Sequence, residues 1–70
     1  MSKISVVIPC YNEEENIQEM IEAVTKEFHD ELPSYDYEII FIDNDSKDKT
    51  RDLIRLGEAS DPHVKAIFNA

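Results

Sequence analysis

An α/β fold with a parallel βαβαβ sheet is what this 70-residue sequence predicts. Three observations carry that expectation. Three short apolar runs rich in β-branched residues lie at Ser5-Val6-Val7-Ile8, Glu38-Ile39-Ile40-Phe41-Ile42 and Val64-Lys65-Ala66-Ile67-Phe68. Such runs suit strands buried in a parallel sheet. Two stretches of helical periodicity separate them. The connections are short, so β-α-β-α-β order implies parallel strands joined by right-handed crossovers.

Each element has its own signals. Residues 3–9 form the first strand, and Pro9 marks its end because proline donates nothing to a ladder. Asn12 is the expected N-cap of the first helix, with Glu15 three residues on completing a capping box. Glu13, Glu14 and Glu15 fall in the first turn, where the helix dipole favours negative charge. Ile17, Met20, Ile21, Val24 and Phe28 then recur at helical spacing and form a core-facing stripe. Pro33 ends the helix, and Pro33-Ser34-Tyr35-Asp36 makes a turn. Residues 37–43 form the second strand. Asp45 or Ser46 caps a second helix carrying Leu53, Ile54 and Leu56 and stopping near Gly57. Asp61-Pro62 turns the chain into the third strand.

The size allows one small domain or a piece of a larger one. The second strand is apolar on both faces, whereas two crossovers stepping the same way put both helices on one face. A larger fold or a partner subunit, a second copy included, is therefore expected to cover the other face. The formal net charge of −9 is concentrated between residues 12 and 32, where eight acids face only Lys26. That field repels phosphate backbones and argues against nucleic-acid binding. The ordinary meaning of such a run is a solvated helix face. Cys10 is the single cysteine, so no intrachain disulfide forms, and a small buried residue is its simplest role. His29 and His63 are isolated and expected at the surface. No stretch approaches the ~20 apolar residues of a membrane span, so the chain as given is expected to be cytoplasmic. A C-terminal extension could still bring membrane association.

In open parallel sheets, ligands bind beyond the carboxyl ends of the strands. Two polar loops meet that description: Tyr11, Asn12 and Glu13 after the first strand, and Asp43, Asn44, Asp45 and Asp48 after the second. An aromatic ring stacks on a base, and carboxylates accept hydrogen bonds from base N–H or ribose hydroxyl groups, so the mixture suits a nucleoside. Glycine-rich dinucleotide and P-loop signatures are absent from the sequence. Asp45, Ser46 and Asp48 also have ordinary roles in starting a helix. Three acids in one loop are weak support for a metal site.

The stretches running from Ser5 through Pro9, Tyr11 and Glu13 to Ile17, and from Tyr37 through Asp43, Ser46 and Asp48 to Thr50, together resemble the start of the family 2 inverting glycosyltransferases. The branch resembled is that of dolichol-phosphate mannosyltransferases and bacterial polyprenyl-phosphate glucosyltransferases. The resemblance covers nearly the whole chain. It implies a Rossmann-like βαβαβ sheet forming the N-terminal, nucleotide-binding part of a GT-A fold, incomplete at 70 residues. It further implies a nucleotide-sugar donor, UDP- or GDP-linked, a polyprenyl-phosphate acceptor and a divalent metal, Mg or Mn. By position, Pro9, Tyr11, Glu13 and Asp43 would line the nucleoside pocket, with Asp43 matching an aspartate that bonds the base. Where the family commonly reads Asp-Asp-Gly-Ser-x-Asp-Gly-Thr, this chain has Asn44 for the second acid and Asp45 and Lys49 for the two glycines. The family's metal-binding Asp-x-Asp, catalytic base and acceptor site follow the third strand, so no catalytic residue or metal ligand is assigned here. Two other readings stay open. One is a truncated, non-catalytic nucleotide- or partner-binding module. The other is a phosphoacceptor receiver-like domain, which Glu13 and Glu14 fit poorly.

Overall fold

A computed structural model describes residues 3–69. Strand β1 (Lys3–Cys10), helix α1 (Ile17–Glu31), strand β2 (Asp36–Asn44), helix α2 (Thr50–Ser60) and strand β3 (Val64–Asn69) follow in order. The sheet is parallel throughout, ordered β1-β2-β3. Stepping the same way twice with right-handed crossovers puts both helices on one face. The core there draws Ile17 and Ile21 from α1 and Ile54 from α2, closing over Ile39, Phe41 and Val64 of the strands.

Register shows how the two faces differ. Ile8 lies beside Phe41, and Phe41 beside Ala66, on the helix-covered side. Val7 lies beside Ile40, Pro9 beside Ile42, and Ile42 beside Ile67 on the other. No described residue covers that second face, and Val7 and Ile67 are each about half exposed, at 53% and 51%. An apolar sheet face of this kind calls for cover.

The strands fall within a residue or two of expectation, but both helix starts differ. Asn12 is not a cap: it has φ 51, and α1 begins five residues later behind Asn16. Residues 13–16 instead make a turn, in which the Asn16 N–H donates to the Glu13 carbonyl at 2.9 Å. Neither Asp45 nor Ser46 caps α2, which begins at Thr50. Asp48 supplies the local acceptor, taking the Thr50 N–H at 2.9 Å and the Thr50 hydroxyl.

Helix α2 also runs past Gly57 to Ser60. Its buried stripe is Thr50, Ile54 and Gly57, while Leu56 is 64% exposed, contrary to the expected apolar set. Gly57 is needed for close approach rather than for a turn. A Cβ there would sit 3.0 Å from Ile21 Cδ1 and 3.6 Å from Val64 Cγ1. We expect Gly57→Ala to change stability little, because about 1 kcal/mol of helix propensity is offset by the displaced isoleucine tip. Gly57→Val should cost roughly 2 kcal/mol by overpacking, measured by urea unfolding.

At the amino ends of the strands, Phe28, Tyr37 and His63 form a parallel stack with centroid spacings of 4.4 Å and 4.0 Å. His63 is thus half-buried against a ring rather than free at the surface, whereas the His29 side chain is 86% exposed. A cavity of about 330 Å³ opens beside the stack, bounded also by Thr25, Pro33 and Tyr35. It lies at the opposite end of the sheet from the two polar loops.

Candidate functional site

The carboxyl ends of β1 and β2 lie side by side, with Cys10 opposite Asp43 in the register. Their two loops are bonded to each other rather than merely adjacent. The Asn12 N–H donates to Ser46 Oγ at 2.9 Å, and the Lys47 N–H donates to Asn12 Oδ1 at 2.7 Å. The Glu13 N–H donates to Thr50 Oγ1 at 2.7 Å. The Glu14 N–H donates to Asp48 Oδ2 at 3.3 Å. Four N–H groups that would lack helical partners thus find acceptors about 35 residues away.

Asp43 is the centre of this arrangement and is fully buried, at 0% exposure. Its Oδ2 accepts the Arg51 Nε–H at 2.7 Å and the Ser46 N–H at 3.1 Å, and its Oδ1 accepts the Ser46 hydroxyl. Burial pushes its pKa up, but the bonds from Arg51 and Ser46 outweigh that and hold the carboxyl below its usual range. Arg51 also donates through Nη2 to the Asn69 carbonyl at 2.6 Å, tying in the end of β3. Sequence reasoning missed Arg51, Ser46 and Thr50 as organisers of the site. The signal available was an arginine three residues after Asp48, at the end of an acidic loop.

The other expected site residues gather on the same rim. Tyr11 is 56% exposed, Pro9 is exposed, and Glu13 is half-buried. The Glu13 carboxylate accepts the Asn16 side-chain N–H at 2.9 Å. Asn44 is exposed beside them, its carboxamide oxygen accepting from Asn69 Nδ2 at 3.3 Å. Asp45 takes φ 58, a left-handed conformation that aspartate tolerates better than most residues. Lys49 stays at φ −84, so its side chain meets no backbone strain there.

Cys10 is buried at 1% exposure. Burial first, then the charges of Glu13 and Asp43, push its thiol up to about 11, so it is uncharged at neutral pH. The rim carboxylates are also poor metal ligands as they stand. Asp43 is enclosed, Asp48 is bonded by Thr50, and Asp45 is paired with Lys47 at 2.8 Å. Among the described residues, no group of three or more histidines, cysteines or acids could hold a metal ion. The divalent metal associated with such folds therefore does not fit the residues described here.

Compared with known families, the chain matches Glycosyl transferase family 2 over residues 5–70. It belongs to that family. The parallel βαβαβ sheet agrees with the Rossmann-like N-terminal part of the GT-A fold. Among relatives, it is 48% identical over 62 residues to a "Prophage bactoprenol glucosyl transferase homolog" of Escherichia coli, covering 89% of this chain and 20% of that protein. It is 44% identical over 52 residues to "Glycosyltransferase AglE" of Haloferax volcanii, covering 74% of this chain and 16% of the relative. It is 38% identical over 67 residues to an undecaprenyl-phosphate 4-deoxy-4-formamido-L-arabinose transferase of Enterobacter, covering 94% of this chain and 20% of the relative. The chain thus spans about a fifth of the length of these family 2 relatives. No helix among the described residues is long and apolar enough to cross a membrane.

Proposed function

We propose that this chain forms the donor-nucleotide end of a glycosyltransferase that moves a sugar from a UDP- or GDP-sugar to a polyprenyl phosphate. The observation that carries the reading is the pair of interlocked loops beyond the carboxyl ends of β1 and β2. They present exposed Tyr11, with Pro9 and Glu13, above an anchored Asp43. Tyr11 offers a face for base stacking. Glu13 offers a carboxylate for base or ribose donors, and Pro9 contributes an apolar wall. Asp43 serves the pocket through the loop it holds, since its own oxygens are enclosed. The acceptor class is suggested by relatives whose names specify bactoprenol and undecaprenyl phosphate.

In this reading the chain supplies donor recognition, and the groups that act at the anomeric carbon lie elsewhere. Isothermal titration of the protein with UDP and GDP tests it. A dissociation constant of roughly 1 μM to 1 mM for one of them, with much weaker binding of the other, is the expected result. Failure of both to bind would remove the reading.

A further inference from the structure

We infer that Arg51 is a positioning residue for the donor nucleotide: with one guanidinium it joins the Asp43 carboxylate to the Asn69 carbonyl and so sets the shape of the rim. The inference rests on the nucleotide-binding reading above. Arg51 stands in the first turn of α2, and its two bonds of 2.7 Å and 2.6 Å reach the last residues of β2 and β3. Its guanidinium carbon lies 5.3 Å from the Phe68 ring centroid, which limits its swing. Asp43 in turn holds Ser46, and Ser46 Oγ accepts the N–H of Asn12, next to Tyr11. Arg51 therefore connects to Asn12, the neighbour of Tyr11, through a short chain of bonds that is buried at Ser46 and part-buried at its two ends.

Charge around Asp43 makes this role visible in a pH profile. On β1, Cys10 faces it as a neutral thiol, and Glu13 and Asp45 on the two loops are acids. Phe68 lies beside it on β3, and α2 brings Arg51, whose guanidinium also holds the Asn69 carbonyl. Without the guanidinium, the buried carboxylate takes up a proton at higher pH, and its hold on Ser46 weakens as one of its two acceptor oxygens becomes a hydroxyl. Lysine carries the charge but not the fork, so it reaches one acceptor rather than two.

The test is titration of UDP and GDP into wild type, R51K and R51Q at about pH 7.5 and about pH 5.5, with circular dichroism and Tm measured alongside. R51Q should bind about tenfold more weakly at the higher pH, with a wider gap at the lower pH, and R51K should recover part of the loss. Equal affinity and equal pH dependence in folded variants would overturn the inference. So would a loss that follows Tm alone and is the same at both pH values. If R51Q does not fold, the comparison of R51K with wild type at the two pH values decides in the same way. Wild type that binds neither nucleotide overturns the nucleotide reading and this inference together, whereas binding unaffected by Arg51 overturns only the latter.

Discussion

Replacing Asp43 by alanine should lower the unfolding free energy by about 3 kcal/mol, at the low end for breaking a buried ion pair because Arg51 keeps some contact with solvent. The substitution removes three hydrogen bonds at once and leaves the Arg51 Nε–H and the Ser46 N–H without their acceptor. A small domain has little stability to lose, so the variant should be largely unfolded under conditions where wild type folds. Asp43→Asn keeps the shape and one acceptor oxygen, and should cost less. Urea unfolding of the three proteins checks the order, and an alanine variant as stable as wild type would exclude the buried-anchor role. The pH dependence has a definite sign. The folded-state pKa of Asp43 lies below its unfolded value, near 3.9. Its contribution is therefore fully present above that unfolded value and is lost as the pH falls through the folded one. Wild type and Asp43→Asn should accordingly converge in stability only in strong acid.

Tyr11→Ala should weaken nucleotide binding by about 5- to 150-fold while leaving the fold intact, since base stacking on an aromatic ring is worth about 1–3 kcal/mol. The ring is more than half exposed and is not part of the core, so little packing is lost. Tyr11→Phe keeps the stacking face and should bind nearly as wild type. Calorimetric titration distinguishes the pair: an unchanged affinity in Tyr11→Ala would place the base elsewhere, and an equal loss in both variants would assign the effect to the hydroxyl instead. Together with Asp43→Ala, this separates a surface that meets ligand from an anchor that holds the surface in place.

Three strands, two helices and their parallel order were legible because each rests on local pattern. Apolar runs such as Ile39 to Ile42 mark interior strands, and Ile17, Ile21 and Phe28 share one helical face. The uncovered sheet face was equally legible, because strand alternation puts Ile40 and Ile42 opposite Ile39 and Phe41 whatever the helices do. The two strand ends with their polar loops placed Tyr11, Glu13 and Asp43 at one rim, and the structure brings them to the same end of the sheet.

Tertiary structure alone decided how that rim is held. Asn12 has the composition of a helix cap, but its N–H and carboxamide are taken by Ser46 and Lys47, so α1 starts later. Ser46 has the same local qualification, but its hydroxyl is taken by Asp43 and by Asn12. Gly57 looked like a helix stop and is an interior contact, because Ile21 of the other helix passes against it. In each case a polar or small residue has two competing uses of similar energy. Local sequence weighs only the near one, and partners more than 30 residues away settle the choice through bonds that exist only once the sheet has formed.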